Sequence, residues 1–173
     1  MYIKTEEAHY IDDEFGEIPV QYQPNERIIR FLKTGTIKKG KLNRRAFYPY
    51  KYPASGECRL STQRIEYSNL EHTRKTAIGI FGENYRGIAV LQIKHALTLG
   101  CDFETCPENG VTQHAHIIYP DYKHEPGTPM KTEITDIIEA LYQYVKQNQL
   151  FFAEKVNEST DIKLPDKFPE ISS

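Results

Sequence analysis

The sequence predicts an α+β domain: a short-stranded, mostly antiparallel sheet with a C-terminal helix packed on one face. Three observations carry that reading. Short apolar runs rich in β-branched residues recur through the middle of the chain, notably Ala77–Phe81 and Ile88–Ile93, and such runs read as strands. Only a turn signal, Gly82-Glu83-Asn84, separates these two, which favours a hairpin over the long crossover that parallel strands need. Late in the chain Ile134, Ile137, Ile138, Leu141 and Val145 recur at three- and four-residue steps, the spacing of a helix with one apolar face.

In chain order, residues 1–26 read as an acidic, solvated arm. Glu6, Glu7, Asp12, Asp13, Glu14, Glu17 and Glu26 stand there against Lys4 alone. From Arg27 to Arg45 the sign reverses, with eight Lys and Arg residues and no carboxylate. That stretch reads as a solvated face or as a partner of the acidic arm before it reads as a phosphate site. A single α+β domain spans 27–154. Arg27–Leu32 is its first expected strand, closed by Thr34-Gly35-Thr36, and a loop punctuated by Pro49, Pro53 and Gly56 leads to a strand starting at Cys58. A polar stretch then runs to Thr76, before the two apolar strands. Lys94–Leu99 is expected to form helical turns capped by Gly100, followed by extended Asp102–Glu104. His114–Tyr119 alternates as a half-buried strand does, and Pro120 stops it. Thr132 is placed to N-cap the helix, expected to run to Phe152. Residues 155–173 read as an extended tail in which only Leu164 and Phe168 could dock.

Charge and composition exclude several classes. Lys plus Arg number 22 against 24 Asp plus Glu, a net charge of −2, which argues against a dedicated nucleic-acid binder. No apolar run approaches the roughly 18 residues of a membrane span, and the acidic start has no signal-peptide pattern. Three cysteines, an odd count without a repeating framework, read as free thiols of a reducing compartment, hence the cytoplasm. Tyr is used 12 times and Trp never. Amphipathic rings in that number read first as a half-buried rim of the core, and secondly, at Tyr48–Tyr52, as a surface for a protein partner.

Cys101, Cys106, His114 and His116 are four zinc-type ligands within sixteen positions. Their spacing is not the two-residue step usual within a pair, and Cys101 and Cys106 must loop back to reach the two histidines. They therefore read first as thiols and half-buried histidines, and as a metal set only as the fallback. No glycine-flanked serine elbow and no phosphate-binding glycine loop is present. What remains is a set of polar residues at the ends of expected strands: Arg44, Arg45, Ser61, Thr62, His114 and His116. Polar groups gathered at strand ends are where sites tend to form. The leading reading is a pocket near Arg45, Ser61 and His114 for a small phosphate-bearing molecule. The alternative is a non-enzymatic interaction module using Tyr48–Tyr52 and the tail.

The segments Ala46-Phe47-Tyr48-Pro49, Leu60-Ser61 and His114-Ala115-His116-Ile117 resemble landmarks of a loosely defined group of small bacterial proteins of unknown function. More distantly, Arg30, Ser61-Thr62 and the strand Ile88–Ile93 resemble elements of ADP-ribosyltransferase-like domains. That second resemblance implies NAD as cofactor, with Arg30 or Arg45 on its phosphates, Thr62 and Ser61 ordering the ribose side, and His114 and Ser61 in catalytic roles. The Glu-x-Glu of such domains is absent here, leaving Glu104 or Glu139 as the acid.

Overall fold

The structure, a computed structural model, describes residues 8–52, 55–108, 110–120 and 132–154, together with Phe168 and Ile171. The chain runs β1 (His9–Asp12), β2 (Gly16–Pro19), β3 (Arg27–Lys33), β4 (Ile37–Lys38), β5 (Lys41–Leu42), a 3-10 turn (Arg44–Phe47), β6 (Tyr50–Lys51) and β7 (Cys58–Arg64). It continues through α1 (Leu70–Phe81), β8 (Tyr85–Gln92), α2 (Ile93–Thr98), β9 (Asp102–Thr105), β10 (His114–Ile118), α3 (Thr132–Gln147) and β11 (Phe151–Ala153). The main sheet has the order β11-β8-β3-β7-β10-β9, with β6 also on β7, and all of its pairings are antiparallel. The predicted fold class is the observed one. No helix among the described residues is long and apolar enough to cross a membrane.

Cross-strand partners in this sheet share a face, because side chains alternate along each strand. One face carries Leu60, Ala115 and Ile117 beneath α3 and the 3-10 turn, whose Phe47 carbonyl accepts from the Tyr119 hydroxyl at 2.6 Å. The other carries Phe31, Gln63 and His114 and is covered in part by α1, where Phe81 meets Phe31 edge-on at 6.1 Å. Seven of the eight residues of β8 are buried, as a central strand covered on both sides requires. Gly87 in β8 has φ +131°, and a Cβ there would stand 1.8 Å from the Phe152 carbonyl oxygen of β11. Only glycine lets that last strand dock.

Two element assignments change. Ala77–Phe81, expected as a strand, is the C-terminal half of α1. Asn69 caps the helix, its side chain accepting from the His72 N–H at 2.8 Å, and the helix buries Thr73 and Ala77 one turn apart. Five apolar residues cut from a longer helix carry no period that separates them from a strand. The antiparallel hairpin expected across Gly82 is accordingly a helix-to-strand turn. The C-terminal helix, expected to reach Phe152, stops at Gln147, and Gln149 turns left-handed at φ +54°. Phe151 and Phe152 then pair with β8 as β11.

The acidic N-terminal stretch is more than a solvated arm. It forms the β1–β2 hairpin, Ile18 is fully buried, and the Tyr10 hydroxyl donates to the Thr105 carbonyl at 3.2 Å. Glu26 is buried against Arg64 of β7. In the basic stretch Arg27 pairs with Glu66 at 2.8 Å and Arg44 approaches Glu139 at 4.0 Å. Most of the tail lies outside the described residues. Phe168 and Ile171 pack half-buried against the core.

Candidate metal centre

The edges of β7 explain why a site forms here. Along one edge, β10 pairs continuously from Arg59 to Gln63. Along the other, β3 pairs only at Gln63 and Arg64, and β6 only at Cys58 and Arg59. Between these two partners the strand has a break. Arg30 reaches into it, donating from Nη1 to the Ser61 carbonyl and from Nε to the Ala46 carbonyl, both at 3.0 Å. A backbone carbonyl left without a ladder partner is satisfied by a side chain instead. Beside the break a cleft of about 140 Å³ opens, lined by Arg30, Ser61, Gln63, Phe81, Glu108 and His114 among others.

At one end of this cleft the β9–β10 hairpin gathers metal-binding groups. The ladder continues past β9, with the Cys106 N–H donating to the His114 carbonyl at 3.0 Å. The chain returns through a Glu108–Val111 bridge. His114 and His116, two positions apart on β10, share a face. One ligand atom from each of Cys106, His114 and His116 falls within 4.8 Å of the others, and the two imidazoles stand edge-on with centroids 4.6 Å apart. Tetrahedral zinc with bonds of roughly 2.0–2.3 Å separates its ligands by roughly 3.3–3.8 Å. A contraction of about 1 Å would therefore close the shell.

Glu108 completes the constellation, with Oε2 3.5 Å from His114 Nδ1 and 3.9 Å from His116 Nε2. The Tyr52 hydroxyl lies 3.2 Å from His116 Nε2 and 3.5 Å from Glu108 Oε1, tying the histidine to the carboxylate. Arg59 stacks over the Tyr52 ring at 5.0 Å and pairs with Glu57 and with Glu104, the latter at 3.1 Å. The centre is closed on one side and open on the other: the His116 side chain is 1% exposed, that of His114 16% and that of Glu108 38%. Burial, with the neighbouring His114 and Arg59, pushes the His116 pKa down to about 4, so this imidazole is neutral at pH 7. Burial and the carboxylates of Glu104 and Glu108 push the Cys106 thiol up.

Of the four fallback ligands, three converge and Cys101 does not. Cys101 is buried next to α2, its N–H on the Ala96 carbonyl, and burial pushes its thiol up to about 12. Of the residues read as catalytic or cofactor-binding, Ser61, His114, Arg30 and Thr62 line the cleft. The Thr62 hydroxyl is engaged with the Ala115 carbonyl at 3.0 Å. Arg45 departs from the pocket reading. It is exposed on the 3-10 turn, which lies on the opposite face of the sheet. In the tyrosine-rich loop Tyr48 and Tyr50 are exposed, whereas Tyr52 turns in toward His116. Sequence reasoning missed Gln63, Glu108 and Tyr52. For Glu108 a signal existed, since Cys106-x-Glu108 and His114-x-His116 are both two-residue steps flanking one hairpin. A scan against protein-family models and searches of curated proteins and of solved structures find no match to this chain.

Proposed function

We propose that this protein is a zinc-dependent enzyme of hydrolytic type, its metal held by Cys106, His114 and His116 at the end of the cleft. The observation that carries the reading is the convergence of those three ligand atoms, one of them on His114, which also lines the cleft. One thiolate and two imidazoles are a borderline-soft set that suits Zn²⁺. Three protein ligands with an open side form the pattern of catalytic zinc, whereas structural zinc is closed by four. A His114 that binds metal through Nε2 must donate from Nδ1, and the Cys106 carbonyl at 2.8 Å stands ready to accept. Nδ1 of His116 is buried with no hydrogen-bond partner among the described residues, a cost that ligation through that nitrogen would remove, with Nε2 left to Tyr52.

Bound zinc supplies a Lewis acid that lowers the pKa of a water toward neutrality. With zinc held by Cys106, His114 and His116, Glu108, whose carboxylate reaches both histidines, would serve as the general base and acid. Hydrolysis of an acyl substrate would take its oxygen from water, and the proton held by Glu108 would go to the departing nitrogen or oxygen. Tyr52 orients Glu108 and His116. The three cysteines are free, which fits a reducing compartment such as the cytoplasm. A thiol nucleophile at Cys106 is the weaker reading, because neighbouring carboxylates work against its thiolate.

The test is metal retention. Purified protein dialysed against Zn²⁺ is expected to hold one equivalent, and Co²⁺ substitution to give a thiolate-to-metal charge-transfer band. Both should be lost in Cys106→Ala and His116→Ala and kept in Cys101→Ala. Zinc should also shield Cys106 from alkylation. A folded chain that retains no metal, or that loses it with Cys101→Ala alone, overturns the assignment.

A further inference from the structure

The cleft contains a polar group that the fold leaves without a partner. Gln63 is 1% exposed and lines the cleft, yet among the described residues neither its amide nitrogen nor its amide oxygen has a hydrogen-bond partner. In the sheet it stands between Ile29 of β3 and His114 of β10, next to the metal centre. Buried polar side chains are ordinarily satisfied, because leaving donor and acceptor unmet costs their desolvation. The contrast with its neighbour Arg64 is sharp: Arg64 is equally buried and makes four hydrogen bonds.

A second feature lies in the same cleft. Arg30 donates only to two backbone carbonyls, and no carboxylate comes within salt-bridge distance of it among the described residues. It is half-buried, and desolvation lowers its pKa to about 10, which leaves it cationic at neutral pH. The Ser61 side chain is exposed beside it. Glu108 supplies the negative charge at the His114 end. The cleft volume of about 140 Å³ is well below the roughly 300–1,000 Å³ of sites for drug-sized ligands. It holds a compound of a few heavy atoms.

We infer that the cleft binds a small anionic amide: a carboxamide-type edge, with adjacent N–H and carbonyl, pairs with both amide atoms of Gln63, while an anionic group of the same molecule meets Arg30. An amide edge matches Gln63 donor to acceptor and acceptor to donor, as one side-chain amide recognises another. A carboxylate or an ester in its place leaves the Gln63 oxygen without a donor. The guanidinium takes the oxyanion as a charge-assisted pair. As a statement about substrate this rests on the hydrolytic reading above, and it makes the scissile bond an amide C–N bond. As a statement about binding it holds with or without metal.

Three probes of one length separate the contributions: succinamate carries the amide and the anion, succinate only anions and succinamide only amides. Titration of each into the full-length protein, metal-free and zinc-loaded, is the experiment. Succinamate is expected to bind roughly tenfold or more tightly than either of the others. Gln63→Leu should abolish the preference for succinamate over succinate and leave thermal stability unchanged or raised, since it removes an unmet polar pair. Gln63→Met repeats that test with a flexible side chain. Arg30→Met should weaken succinamate and succinate about tenfold and spare succinamide. Equal binding of the three probes, no binding, or a preference that survives Gln63→Leu overturns the inference. If the probe pattern holds but zinc is never retained, the hydrolytic reading falls and the recognition stands. If zinc is retained without an amide preference, the recognition falls alone.

Discussion

Arg64, the last residue of β7, and Arg30, which reaches β7 from β3, end in opposite states. Arg64, at the strand's end, is 1% exposed and saturated by both carboxylate oxygens of Glu26 and by the carbonyls of Pro19 and Gln21. Arg30, at the break between β3 and β6, has two carbonyl partners and no counter-ion among the described residues. The first end is a finished internal network that pins the N-terminal hairpin to the sheet. The second is polar machinery left open to a cleft, together with Gln63 and the Cys106–His114–His116 cluster. The difference separates polar groups that hold the fold from polar groups the fold holds in readiness.

The largest expected effect breaks the first end. Glu26→Ala leaves the Arg64 cation buried without its carboxylate and should cost about 3–5 kcal/mol in urea unfolding, whereas Arg30→Met should stay within roughly 1 kcal/mol of wild type. Comparable losses for both would erase the distinction. Next in size is the metal: zinc at about 100 times its dissociation constant should add roughly 2.7 kcal/mol, a rise of roughly 5–10 °C for a chain of this length. Calorimetry of His114→Ala should show no such rise. Tyr52→Phe keeps the ring against His116 but removes its hydroxyl, so zinc affinity should fall about tenfold, read by competition with a chelator.

The smallest effect concerns an ordinary surface pair. The Arg27 guanidinium hydrogen-bonded to Glu66 holds that carboxyl below the usual carboxylate range. A lowered folded-state pKa means stability that is present above the unfolded value, about 4.3, and lost as pH falls through the folded one. Glu66 is 36% exposed, so the contribution should be only about 0.2–1 kcal/mol. Glu66→Gln should differ from wild type by that amount at pH 7 and converge with it at pH 2.

What the sequence makes legible here follows from how local each signal is. β3, β7, β8, β9 and β10 announce themselves through alternation or β-branched content within a handful of residues, and α3 through its apolar period. The His114–His116 pair was readable too, because a two-residue step on a strand places both on one face. α1 is not legible in Ala77–Phe81 alone, because its period shows only together with Leu70–Thr76. Gln63 and Tyr52 were beyond reach for another reason. Their roles depend on which strand lies beside which, with β3 and β6 dividing one edge of β7, and the pairing of Gln63 with Ile29 and of Arg64 with Ile28, 34 and 36 positions apart, leaves no trace in any short window.

The sheet's outer borders have a consequence for the protein in concentrated solution. Its end strands are short, β11 with three residues and β9 with four, and β9 turns the charges of Asp102 and Glu104 outward. An unpaired strand is a template onto which another chain can add. Brevity at both borders, with acidic side chains exposed along β9, denies that template a flat, apolar length to grow from. The chain is thereby guarded against edge-to-edge aggregation, and Asp102 and Glu104 are the residues whose replacement by apolar ones would expose it first.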